Sequence, residues 1–345
     1  MKVYCITIFA YINQFLLPGF DELSTAVLKS NNNKSPGMTS IEHNNLPEMT
    51  SIEHNNLPLS CRRAVLTMIP KKGDTSLLKN WRPVSILYCD YKILTRALSL
   101  RLRTVLPDIL DIDQSYCVPG RHISGNVRFI SDATCYANQE NIPLAIVSLD
   151  QEKAFYRIHH DYLFKTIEWF GFGEYCISCI KTVYTNVHSL LKINNALTSP
   201  FQFRRGIRQL FSLSGQLYAI CLEPPSHKLT SSEGLKGLSL PFSDGKTASL
   251  SAYADDVDTL ITSDSDFERL SFSLSIYQKA SNSKVNLTKT QGLWVGSWKD
   301  RTDSPLGLKW NNIGLKVMGT YVGNKKLLFK QNWDDIQDDS HINQT

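Results

Sequence analysis

The sequence predicts an α+β fold built on an antiparallel sheet, and three observations carry that expectation. Pro143 to Leu149 is a nearly continuous apolar run that ends in Asp150, the pattern of a strand buried on both faces. Ala248 to Tyr253 and Val257 to Thr262 are β-forming stretches around Ala254-Asp255-Asp256, a hairpin with two acids at its tip. Strand-like and helix-like segments follow one another without regular alternation, which disfavours a doubly wound parallel sheet.

The elements follow in order. Val3 to Leu17 reads as an amphipathic N-terminal helix, since Asn13 and Gln14 interrupt its apolar run and no small-residue cleavage site follows. Met38 to Pro47 recurs unchanged as Met49 to Pro58, a tandem copy too short for a solenoid and read as a loop. Arg63 to Pro70 is a strand, Lys71 to Asp74 a basic turn, and Trp81 to Ile86 an extended segment, as Pro83 favours. Ile93, Leu94, Ala97, Leu98 and Leu102 give Asp90 to Leu106 a helical stripe. A loop and a helix fill Asp111 to Tyr136. Asp161 to Phe170 and Tyr175 to Tyr184 are helices, the first stopped by Gly171 and Gly173. Leu190 to Asn194 and Pro200 to Phe203 pair as a hairpin. Ser212 to Leu222 and Phe267 to Ala280 are helices, and Lys316 to Val322 is a last strand. Asn332 to Thr345 is a polar tail.

Composition narrows the function classes. Of 345 residues, 42% are hydrophobic and 20% charged, an ordinary globular balance. The net charge of +5 is compatible with a nucleic-acid partner. The cations crowd two regions, Lys71 to Arg103 and Arg204 to Arg208. Cys176 and Cys179 form a lone CxxC, so the eight cysteines make neither a zinc framework nor a disulfide ladder. No stretch has the roughly 18 uninterrupted apolar residues of a membrane span.

Chemistry concentrates at the acids. Adjacent ionised carboxylates repel each other, and a divalent cation relieves that repulsion. If the acidic hairpin lies beside the strand that ends in Asp150, three carboxylates meet at one sheet end. Two Mg²⁺ ions roughly 3.5–4 Å apart in such a site organise in-line phosphoryl transfer. Alone, each acid reads more often as a polar turn or helix cap, and only their joint occurrence with the upstream basic segments points to a metal site.

Nine short words, in order, resemble the reverse transcriptase domain of non-LTR retrotransposons of the long interspersed element type. They are Lys34-Ser35-Pro36-Gly37, Ile69 to Asp74, Asn80 to Ser85, Asp90 to Leu94, Asp113-Gln114 with Gly120-Arg121, Ser148 to Phe155, Arg205 to Gln209, Tyr253 to Asp256, and Leu315 to Gly319. The resemblance implies a right-hand polymerase fold and RNA-directed DNA synthesis from dNTP, DNA primer and RNA template. It implies catalytic, metal-binding roles for Asp150, Asp255 and Asp256 with two Mg²⁺ ions. Lys71, Lys72 and Arg82 would hold the triphosphate, and Phe155 would exclude a ribose 2′-hydroxyl. Gln209 would touch the nucleotide and template. Lys289, with Lys284 as its competitor, would stand by the leaving pyrophosphate.

The same resemblance divides the chain into an N-terminal helical segment (1–30), partial fingers with the tandem loop (31–60), fingers (61–142), palm (143–325) and tail (326–345), with most of a thumb missing. It implies an intracellular site of action, in nucleus or cytoplasm, and no membrane partner. Some positions depart from the family. Tyr156 replaces the usual aspartate, Leu210-Phe211-Ser212 replaces Gly-Cys-Pro, and Asp258 adds an acid. A leucine side chain at 210 would crowd a close backbone approach. Two readings therefore stay open: a polymerase domain, or an inactive remnant that binds nucleic acid.

Overall fold

The helical stripe of Ile93, Leu94, Ala97, Leu98 and Leu102 is buried in a helix that runs from Cys89 to Ile109 in the computed structural model. The structure describes residues 57–71, 73–209, 211–241 and 243–323, together with Asn332. The N-terminal segment, the tandem copy through Asn56, Lys72, Leu210 and the polar tail apart from Asn332 lie outside the described residues.

In chain order the elements are α1 (Leu59–Arg62), β1 (Arg63–Pro70), β2 (Trp81–Leu87), α2 (Cys89–Ile109), α3 (Ile123–Gln139), β3 (Leu144–Leu149), α4 (Ala154–Arg157), α5 (His160–Trp169), α6 (Glu174–Tyr184), β4 (His188–Ile193), β5 (Ala196–Leu197), β6 (Phe201–Gln202), α7 (Ser214–Thr230), β7 (Leu238–Ser239), β8 (Thr247–Ala248), β9 (Leu250–Tyr253), β10 (Asp256–Ile261), α8 (Asp264–Ser281), β11 (Gln291–Val295), β12 (Lys309–Asn311), β13 (Gly314–Val317) and β14 (Thr320–Gly323). Two expectations change. The helix after Ser212 continues through Pro224 and Pro225 to Thr230. The last strand is a hairpin, because Met318 (φ 48°) and Gly319 (φ 87°) turn the chain between β13 and β14.

The chain divides into two compact units, each made of two stretches: Met1–Ile109 with Phe155–Cys221, and Leu110–Ala154 with Leu222–Thr345. The first unit holds a sheet in the order β2-β1-β4-β5, with β6 also paired to β4. β1 and β2 are antiparallel, from Ala64↔Leu87 to Pro70↔Trp81, whereas β1 and β4 run parallel. The sheet is therefore mixed rather than purely antiparallel. Arg208 lies buried here, its guanidinium donating to the His188 carbonyl at 3.0 Å and facing the rings of Tyr91 and Phe203. Carbonyls and aromatic faces take the place of a carboxylate counter-charge. Cys176 and Cys179 are buried thiols, and burial raises the pKa of both, Cys176 to about 12.

The second unit is organised by the sheet β12-β11-β3-β10-β9, with β3 at its centre. One face presents Ala145, Val147, Leu149, Val257 and Trp294, which pack on Phe267 and Leu270 of α8. The other presents Ile146, Leu260, Leu293 and Val295, which pack on Ile130, Ala133 and Ala137 of α3. Burial on both sides explains why β3 reads as an apolar run. Trp310 stacks on Trp294 with centroids 3.9 Å apart, and the Arg301 guanidinium lies 4.5 Å from Trp294 and 4.6 Å from Trp298. Gly292 makes that stack possible, because a Cβ there would overlap the Trp310 ring. No described helix is long and apolar enough to cross a membrane.

Gly292→Ala should therefore cost about 1–3 kcal/mol of stability through overpacking. A shift in the urea unfolding midpoint, with unchanged m-value, is the measurement.

Candidate active site

The acidic site of the second unit follows from strand register. β3 and β10 pair antiparallel with Val257 opposite Leu149 and Asp258 opposite Ser148. Continued one residue, that register sets Asp256 opposite Asp150, so their Cβ atoms are about 5 Å apart. The two-residue turn Ala254-Asp255 joins β9 to β10, with Tyr253 paired to Asp256. Only Asp255 is thus at the hairpin tip, and Asp256 is the first residue of a strand. Ala254 adopts φ 56°, a left-handed conformation costly for a residue with a Cβ. That strain is concentrated at the turn that presents Asp255.

Charge repulsion is visible at Asp256. Partial burial of its carboxyl, and then the charges of Asp255 and Asp150, push its pKa above the ordinary carboxylate value. One step further down the same face runs a polar row across four strands: Ser251, Asp258, Ser148 and Gln291. Asp258 is fully buried, and neither carboxyl oxygen has a hydrogen bond of ordinary geometry among the described residues. Burial raises its pKa from 3.8 to about 7; the nearby Ser148 hydroxyl opposes that shift and the Asp256 charge adds to it. Asn126 of α3 donates to the Ser251 hydroxyl at 2.9 Å and the Ala252 carbonyl at 3.2 Å, tying the helix to β9 beneath the acids.

Asp150 is braced by the chain that carries Lys289. Its N–H donates to the Thr290 hydroxyl at 3.2 Å, and its carbonyl accepts from the Asn286 N–H at 2.8 Å. Lys289 is exposed on the turn between those two partners. Lys284 is instead ion-paired with Glu152 at 3.7 Å. Sequence reasoning missed Thr290, whose only signal was its place beside Lys289. Among the described residues, no three His, Cys, Asp or Glu side chains form a ready-made metal cage. Asp150, Asp255 and Asp256 are brought together as neighbours at one sheet end, without enclosing an ion by themselves.

The first unit carries the other candidate residues. Ile69 faces Arg82 in the β1–β2 register, and the Lys71 N–H donates to the Asn80 carbonyl at 2.7 Å. Lys71 and Arg82 are therefore diagonal neighbours on one face of the hairpin end, both exposed. The connecting loop is rigidly braced. Asn80 Nδ2 donates to the Asp74 carbonyl at 2.7 Å, and the Trp81 indole donates to the Thr75 carbonyl at 2.8 Å. Phe155 is 9% exposed and stacks on Tyr218 with centroids 4.2 Å apart and planes 20° from parallel. Gln209 is half-buried, its Oε1 2.9 Å from the Tyr156 hydroxyl. The described residues of this unit include sixteen Lys and Arg against six Asp and Glu, whereas the second unit has fourteen against seventeen.

The α+β architecture is of the right-hand polymerase class. Residues 69–316 match the family described as reverse transcriptase (RNA-dependent DNA polymerase). The chain belongs to the reverse transcriptase family, as a domain of the non-LTR retrotransposon type. It is 41% identical over 333 residues to the transposon TX1 uncharacterized 149 kDa protein of Xenopus laevis, covering 92% of this chain and 25% of that protein. It is 26% identical over 173 residues to the retrovirus-related Pol polyprotein from type-1 retrotransposable element R2 of Popillia japonica, covering 50% of this chain and 24% of that protein. The chain thus spans about a quarter of the length of these relatives. In fold it is similar to apo telomerase from Candida tropicalis truncated from its C-terminal domain, with TM-score 0.53 and 14% identity over 76% of this chain and 54% of that one.

Asp258 sets a pH dependence in metal-free buffer. The folded chain keeps a proton that the unfolded chain releases above pH 3.8, so this group's contribution falls as pH rises from about 4 to about 7. Asp258→Asn should be more stable than the parent at pH 8 by a few kcal/mol, about 1.4 kcal/mol for each pH unit of that window. The difference should vanish near pH 4 in urea titrations with EDTA present.

Proposed function

We propose that this chain is an RNA-directed DNA polymerase domain that adds dNTPs to a DNA primer on an RNA template inside the cell. The observation that carries the reading is the β3–β10 register, which sets Asp150 opposite Asp256 beside the Asp255 turn. Asp150, Asp255 and Asp256 would hold two Mg²⁺ ions. A magnesium site commonly takes one or two protein carboxylates and completes its shell with substrate phosphates and water, a pattern that carboxylates at a sheet end can serve. After burial, the charges of Asp255 and Asp150 raise the Asp256 pKa, and a bound cation would compensate that repulsion. When bound, the ions would favour ionisation of the primer 3′-hydroxyl and stabilise the leaving pyrophosphate.

The protein's own groups would do the rest. Arg82, by its planar fork, and Lys71, as a point charge, would grip the triphosphate, and Lys72 would add a further cation. Phe155, immobilised against Tyr218, would offer a rigid wall to the sugar and disfavour a 2′-hydroxyl. Gln209 would contact the incoming nucleotide. Lys289 would be the proton donor to the leaving group, since Lys284 is engaged by Glu152. The positive balance of the first unit supports contact with template and primer phosphates, with affinity that falls as salt rises.

That same charge balance favours a second reading, RNA binding without synthesis. Primer extension on an RNA template with Mg²⁺ separates the two. Polymerisation predicts extension that drops about a hundredfold or more in Asp255→Asn and in Asp256→Asn. Salt-sensitive RNA binding with no extension by the parent chain would leave only the second reading.

A further inference from the structure

Tyr156 occupies a position where the resemblance leads one to expect aspartate, and its hydroxyl joins two separate segments of the first unit. It donates to the Pro83 carbonyl, next to Arg82 on β2, and stands 2.9 Å from Gln209 Oε1. The ring is held in place by its own backbone. The Ile207 N–H donates to the Phe155 carbonyl at 2.6 Å, and the Gly206 N–H donates to the Ile158 carbonyl at 2.7 Å. Gly206 takes φ 91°, and a Cβ there would come within 2.8 Å of the Tyr156 carbonyl oxygen, so the two segments touch backbone to backbone. His160 Nε2 reaches the Gly206 carbonyl at 2.9 Å and adds a further tie.

We infer that Tyr156 is a positioning residue that fixes the Gln209 carboxamide with Oε1 turned inward and Nε2 free, making the contact of Gln209 with a nucleotide a donor contact to an acceptor atom of sugar or base. This inference rests on the polymerase reading. The chemistry is directional. The phenol's one proton is shared between the oxygens of Pro83 and Gln209, so the amide oxygen faces it. A carboxylate at 156 can only accept, so it would draw in Nε2 and turn Oε1 outward. Burial raises the Tyr156 pKa to about 12 against the opposing charge of Arg82, so the hydroxyl keeps its proton at neutral pH. Among the described residues, Gln209 Nε2 has no hydrogen bond of its own.

The test uses the full chain with side-chain ¹⁵N-labelled glutamine, the Gln209 signal being assigned by its loss in Gln209→Asn. In the parent the Gln209 amide should be rigid on the picosecond–nanosecond scale and should shift on adding dTTP. In Tyr156→Phe the amide should become mobile, and the KM for dTTP on a poly(rA)–oligo(dT) template should rise roughly threefold to tenfold with kcat nearly unchanged. In Tyr156→Asp the amide should stay rigid while its dTTP-induced shift disappears. Equal rigidity of the Gln209 amide in the parent and in Tyr156→Phe would overturn the inference. So would a dTTP-induced shift that survives in Tyr156→Asp. If no variant extends a primer, the polymerase reading fails, and the mobility comparison alone still decides whether Tyr156 holds Gln209.

Discussion

The pairing of β3 with β10 is the constraint on which the acidic site depends. Side chains alternate across a sheet, so a slip of one residue would move every acid to the opposite face. The register is held because each strand contributes to both cores of the second unit. Val147 and Val257 pack toward α8, while Ile146 and Leu260 pack toward α3. A slip would place Asp258 and Ser148 against the Trp294 side of the sheet. Apolar packing on two faces thus fixes the position of the carboxylates at the strand ends.

The face that bears the acids is graded along the strands. Leu260, Ile146 and Leu293 form its apolar floor; Ser251, Asp258, Ser148 and Gln291 form a polar step, buried at Ser251 and Asp258 and half-buried at the other two; Asp256 and Asp150 form its rim. Burial makes the Asp258 carboxyl costly to ionise, and the Ser148 hydroxyl offsets only part of that cost. The step places unusual electrostatic tension directly under the rim. In the first unit the comparable constraint is backbone contact between Phe155–Ile158 and Gly206–Ile207, which sets Phe155, Tyr156 and Gln209 as one rigid group.

Much of this was legible in the sequence. The strands at Arg63–Pro70 and Leu144–Leu149 and the helix around Ile93 to Leu102 follow from periodicity, a local property. The two-residue turn between β13 and β14 was not, because Met318 is an unusual residue for a left-handed position and gives no turn signal. The parallel partners β1 and β4 were equally hidden, since 125 positions separate Arg63 from His188 and no local pattern encodes such a pairing. The extension of α7 through Pro224 and Pro225 ran against the ordinary effect of proline, with Leu222 and Leu229 buried on either side.

By itself the sequence determined the family and the place of several long elements, because motif order and short-range periodicity are written along the chain. Tertiary structure decided what those residues face. It set Asp150 opposite Asp256, buried Asp258, engaged Lys284 with Glu152, and bound Tyr156 to both Pro83 and Gln209. The reason is physical: charge repulsion, desolvation and hydrogen-bond direction depend on distances between groups far apart in sequence, and only the packed fold fixes those distances.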